Sequence, residues 1–99
     1  MYKLSFEKNF LKASKKLSNK KRLKLKQLNI VLERLRENPF SQSLKTHRVD
    51  SKNHGKAWSS RVDGDLRIIW NFDSEDRVII LLLDIGGHSG TDKVYKSWE

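Results

Sequence analysis

The side chains in this sequence that can move protons around a phosphate are His47, His54 and His88, with Arg61, Arg67 and Tyr95 as possible partners. His88 has the most unusual setting. It follows the most apolar run of the chain and two glycines, in "VIILLLDIGGHSGTDKVY", residues 78–95. Two glycines permit a sharp exit from a strand and a close approach of backbone or phosphate. Several familiar arrangements are missing: there is no HExxH, no P-loop or dinucleotide fingerprint around "GGHSG", and no GxSxG elbow. The histidines have no metal-ligand spacing, and no cofactor or metal is expected.

Separated Arg, His and Tyr side chains on a basic chain suit one reaction well: cleavage of RNA by attack of its own 2′-hydroxyl on the adjacent phosphate. The substrate brings the nucleophile. The protein supplies a base, an acid for the departing 5′-oxygen and fixed positive charge. Histidine can take either proton-transfer role, and arginine matches phosphate with a permanent cationic fork. Arg61 and Arg67 bracket an Asp-Gly-Asp turn with Asp65 between them, and their even spacing allows one shared face. Ordinary surface pairs, Arg61 with Asp65 or Arg67 with Asp63, are the competing reading. Tyr95 is an aromatic able to stack on a base, and it lies off the Val94–Trp98 pair expected to pack inward. His47 and His54 sit in or near a polar loop and are weaker candidates for contacting substrate.

Charge supports a polyanionic partner. The net charge is +9, and residues 1–50 hold 14 Lys/Arg against 4 Asp/Glu while residues 51–99 hold 7 against 8. Such a field attracts nucleic acid and raises its encounter rate. Lys20, Lys21 and Lys24, in the connection between two expected helices, are candidates for substrate binding. The chain has no cysteine, which fits a reducing, cytoplasmic setting. No stretch reads as a signal peptide or membrane span.

These residues need a scaffold, and 99 residues allow one domain over 1–99. "YKLSF" alternates as a short strand. Phe10, Ala13 and Leu17 recur at helical spacing with lysines on the other faces. Ser18 or Asn19 is expected to cap a second helix, whose stripe is Leu25, Leu28, Leu32 and Leu35 and whose end is set by Pro39. "LKTHRV", "KAWSSRV", "LRIIWNF" and "RVIILLLDI" read as strands, the last expected at the centre of the sheet, with turns at 63–65 and 73–76. "TDKVYKSWE" is expected to form a short helix. The order implies an α+β fold: a two-helix N-terminal hairpin on one face of a mostly antiparallel four- to five-stranded sheet, the other face partly open.

The element order, "NPF" at the helix end, "AWSSRVDGDLRIIW" and "LLLDIGGHSGTDKVY" together resemble the RelE/ParE superfamily of type II toxin–antitoxin toxins. Within it the chain is most similar to the RelE- and YafQ-like messenger-RNA endonucleases. The resemblance implies a RelE-like fold and a metal-independent endoribonuclease that cuts messages in the ribosome and is silenced by a cognate antitoxin, with which it could form a heterotetramer. It implies that Arg61 contacts the scissile phosphate, and that Asp65, His88 and Tyr95 match family site positions. Asp84 stands four residues before His88, where YafQ-like toxins carry an arginine. Two other readings stay open: a ParE-like inhibitor of DNA gyrase, and a non-catalytic module that binds nucleic acid or antitoxin by charge.

Overall fold

The computed structural model describes residues 1–88 and 93–95. The elements in chain order are β1 (Lys3–Phe6), α1 (Lys8–Asn19), α2 (Leu25–Glu37), a 3-10 turn (Gln42–Leu44), β2 (His47–Ser51), β3 (Gly55–Arg61), β4 (Leu66–Phe72) and β5 (Ile79–Gly87). They build one five-stranded sheet in the order β1-β5-β4-β3-β2. β1 runs parallel to β5, and the other neighbours are antiparallel. The expected α+β architecture is therefore the one found. β5 is an interior strand as its apolar sequence requires, but β4 takes the middle position expected for it.

Both helices lay an apolar stripe on the same sheet face. Phe10 and Leu17 of α1 and Leu28, Val31, Leu32 and Leu35 of α2 meet Leu66, Ile68 and Trp70 of β4 and Ile80, Leu82 and Ile85 of β5. The α2 stripe starts later than its leucine spacing suggests. Leu25 is 58% exposed at the first helical position, and Val31 is buried in its place. Trp70 is fully buried, and its indole N–H donates to Ser60 Oγ at 2.8 Å.

The helix connection also differs from expectation. Ser18 and Asn19 close α1 rather than cap α2, which starts after Lys24 with no side-chain cap. Lys21 adopts the left-handed conformation at φ 60°, and its N–H donates to Ser18 O at 3.0 Å. Arg22 N–H then donates to Leu17 O at 2.9 Å, so the chain reverses and buries Leu23. At the other end Asn38 is extended ahead of Pro39, as the proline dictates.

Both expected turns are built by aspartate. Asp63 Oδ1 accepts the N–H groups of Asp65 and Leu66, and Asp73 Oδ1 those of Glu75 and Asp76. Backbone bonds close the same turns, from Val62 N–H to Leu66 O and from Asp73 N–H to Ile79 O, both at 2.9 Å. β2 starts later than expected, because Leu44 is taken into the 3-10 turn and buried.

On the second sheet face Val49, Ala57 and Ile69 form a smaller cluster with Val94 and Tyr95. The helix expected over residues 91–99 is not what the described piece, Lys93–Tyr95, forms. It is an extended segment laid across the sheet, bridging Gly87 to Lys93 and Ser51 to Tyr95. Val94 N–H donates to Gly87 O at 3.0 Å, and Lys52 N–H to Val94 O at 2.8 Å. Trp98 lies outside the described residues.

Candidate active site at the β3–β4 turn

Strand register brings the predicted residues to one end of the second face. Arg61 pairs directly with Arg67, and Arg67 with Gly86, so the two arginines stand side by side. One row further in, Ser59 pairs with Ile69 on one side and His47 on the other. Alternation puts Ser59 and Arg61, and likewise Arg67 and Ile69, on the same face.

Two cations directly opposite each other weaken a sheet. The turn offsets this with its carbonyls: Arg61 Nε donates to Asp63 O at 3.1 Å, and Arg67 donates to the same oxygen at 2.7 Å. Arg67 also reaches Leu66 O at 3.1 Å and Gly64 O at 3.4 Å. These bonds hold both guanidiniums at the Asp63 carbonyl, so two permanent cations stand together at the turn.

His88 leaves β5 after Gly87 and is fixed at its backbone. Its N–H donates to Asp65 O at 2.9 Å and to Asp65 Oδ1 at 3.1 Å. The other carboxylate oxygen of Asp65 pairs with Arg22. Asp65 thus ties the interhelix connection to the histidine. The imidazole is half-buried and meets Tyr95 edge-on, with ring centroids 5.3 Å apart and planes at 86°.

Tyr95 is not the free aromatic that its sequence position suggests. It is 2% exposed, and its hydroxyl lies 2.7 Å from Ser59 Oγ. A buried ring cannot stack on an incoming base; it presents an edge-on contact to His88 and a hydroxyl beside Ser59. The reason is the extended path of residues 93–95, which seats both Val94 and Tyr95 on Val49, Ala57 and Ile69.

The remaining candidates are dispersed. His47 is exposed with Nδ1 2.9 Å from Lys45 O, although its strand position faces Ser59. His54 sits in the β2–β3 turn, with Nε2 buried 3.5 Å from Asp84 Oδ2, and it joins Asp84 rather than the arginine pair. Asp84 is 8% exposed, and its Oδ1 accepts the N–H of Ile85 at 2.9 Å. Lys20, Lys21 and Lys24 are exposed around the helix connection. Lys21 and Lys24 line a cavity of about 270 Å³ with Arg22, Gln27, Val62 and Asp63, next to the β3–β4 turn.

Two residues escaped the sequence reading. Ser59 had a usable signal, since it is two positions before Arg61 and shares its face. Arg22 had none, because its partner Asp65 is 43 positions away. Among the described residues no group of three metal-ligating side chains comes together, and no helix is long and apolar enough to cross a membrane.

The layout of two helices on one face of a five-stranded sheet has counterparts of known structure. The fold is shared with bacterial toxins of known structure. A copper-bound mutant toxin from Helicobacter pylori superposes with a TM-score of 0.69 at 25% identity, over 89% of this chain and 96% of its own. YafQ in the DinJ–YafQ toxin–antitoxin complex of E. coli gives 0.64 at 17% identity, over 88% and 92%. A YoeB/ParE toxin from Agrobacterium tumefaciens gives 0.65 at 12% identity, over 88% and 99%. No protein-family model and no curated protein matches the sequence.

Proposed function

We propose that this protein is the toxin of a type II toxin–antitoxin system and that it cuts messenger RNA in the ribosome without a metal. One observation carries the reading: the Arg61–Arg67 pair and the His88–Tyr95 contact occupy the same end of one sheet face. The toxin role draws support from the fold, which is shared with toxins solved alone and with an antitoxin. A cognate antitoxin is accordingly the proposed partner.

In this reading the two guanidiniums grip the scissile phosphate and stabilise charge as it builds on the phosphorane. A base removes the proton of the 2′-hydroxyl, the 2′-oxygen bonds to phosphorus, and the bond to the 5′-oxygen breaks as an acid protonates it. The products are a 2′,3′-cyclic phosphate and a 5′-hydroxyl. His88 performs one of the two proton transfers. Tyr95 and Ser59 set the angle of its ring, and Asp65 fixes its backbone, so these three act as positioning groups. Arg67, opposite Gly86, supplies the charge that YafQ-like toxins draw from the position of Asp84.

The test is to add purified protein to a reconstituted translation reaction and map message ends, with a gyrase supercoiling assay alongside. Cuts that need both protein and ribosome, with supercoiling intact, support the proposal. Blocked supercoiling with intact messages overturns it in favour of a ParE-like inhibitor.

A further inference from the structure

A second basic feature lies away from the arginine pair. Lys8, Lys12 and Lys16 follow one another at four-residue steps on α1 and Lys20 continues them as its C-cap, all exposed, the row starting opposite the buried Phe10 and Leu17 and winding onto the flank of the helix. Residues four apart stack on one helix face, so the row runs about 18 Å. Like charges at this spacing weaken a helix. The row borders a groove of about 440 Å³ between α1 and the β2–β3 turn, lined by Asn9, Lys12, Ala13, Lys16, Asn53 and Asp84. Lys52 and Lys93 stand at the adjoining cavity, beside Val94. The row ends at the connection from which Arg22 reaches Asp65, the residue that holds His88.

We infer that this lysine row is a track for an RNA phosphate backbone, leading to the His88 end of the sheet. The inference rests on the RNA-cleaving reading and adds a binding surface distinct from Arg61 and Arg67. The lining selects the partner. Its side chains are two ammonium groups, two amides and the Asp84 carboxylate, with Ala13 the one apolar residue of the groove. A docked peptide needs apolar or aromatic anchors in a pocket, whereas a polyphosphate needs only spaced cations and gains from counterion release. The Asp84 carboxylate on the floor is mostly buried, accepts the Ile85 N–H and faces His54, which limits its repulsion of phosphate.

The experiment is equilibrium binding of a fluorescent single-stranded RNA carrying 2′-O-methyl groups throughout, which cannot be cut, measured from low to moderate salt. The variant carries Lys8, Lys12, Lys16 and Lys20 changed to Gln. A control with Lys3, Lys26, Lys45 and Lys56 changed to Gln has the same net charge, and circular dichroism checks that both fold. The track variant is expected to bind at least about tenfold more weakly, with the slope of log affinity against log salt reduced by about 2 to 3, while the control loses much less. Equal losses in the two variants overturn the inference, because total charge then explains binding. Tighter binding of wild type to polyglutamate than to RNA, lost in the track variant, also overturns it, since the partner would then be an acidic polypeptide. The RNA carries no cleavable bond, so failure of the track and failure of the cleavage reading are separate results.

Discussion

Asp65 holds His88 at two points, accepting the same backbone N–H at its carbonyl, 2.9 Å away, and at its carboxylate, 3.1 Å away. The sequence separates the two by 23 positions, and the β4–β5 pairing closes that gap by setting Leu66 opposite Gly87. Because Arg22 pairs with the same carboxylate, movement in the interhelix connection reaches the histidine through one side chain.

Replacing Asp65 should therefore disturb activity more than stability. The Arg22–Asp65 pair is 40% exposed on each side, so its loss costs only about 0–1 kcal/mol. Misplacing a reacting group by an ångström can cost about 100-fold in rate. Asp65→Ala is expected to lower message cleavage by about 10- to 100-fold. Asp65→Asn keeps an oxygen acceptor for His88 and should retain more activity. Cleavage rates and urea melts of both variants check this; a large stability loss with unchanged specific activity would contradict it.

Ser59 and Tyr95 predict a measurable coupling. Ser59→Ala removes the hydroxyl that lies 2.7 Å from the buried Tyr95 phenol, at a cost of about 0.5–1.5 kcal/mol. Tyr95→Phe removes the other half of the same bond. The double variant removes both polar groups and should be less destabilised than the two single losses added together. Chemical denaturation of the four proteins in the cycle measures this; strict additivity would show that the hydroxyls do not depend on each other.

Lys21 is a non-glycine residue at φ 60°, a conformation that costs an L-residue roughly 1 kcal/mol. Lys21→Gly is expected to raise stability by up to about 1 kcal/mol, since Gly adopts this conformation freely. A rise in the urea midpoint with an unchanged slope is the expected result, and a fall would place the Lys21 side chain in a stabilising contact.

Trp70 anchors the larger core. Trp70→Ala should cost about 3–5 kcal/mol, through lost burial and the cavity left behind. Ser60 loses the indole donor but keeps its hydrogen-bonding neighbour Thr46, 2.6 Å away, which limits the additional penalty. Loss of cooperative thermal unfolding in this variant, but not in Trp58→Ala at the partly buried neighbouring ring, is expected.

The sequence made the strands, the helices and both aspartate turns legible because each depends on local periodicity or on side chains two or three positions apart. The register of Arg61 against Arg67 was open in the sequence, since a turn resets alternation; the tight Asp63 turn restores it. Leu25 was misplaced because leucine spacing alone cannot tell a helix's first exposed turn from its core. Tyr95 was misread for a related reason. Residues 93–95 run extended rather than helical, and both Val94 and Tyr95 are buried in the cluster of Val49, Ala57 and Ile69. His54 joined Asp84 through a hairpin turn folded toward β5, a contact that no spacing rule anticipates.

The central claim is that His88 works beside the arginine pair in cutting RNA, and the direct measurement is message-end mapping in a reconstituted translation reaction with wild type and His88→Ala. Wild type should leave ribosome-dependent cuts ending in a 2′,3′-cyclic phosphate, and His88→Ala should slow them by about 100-fold or more while its thermal unfolding stays near that of wild type. A folded His88→Ala protein that cuts the same messages at the wild-type rate would contradict the account.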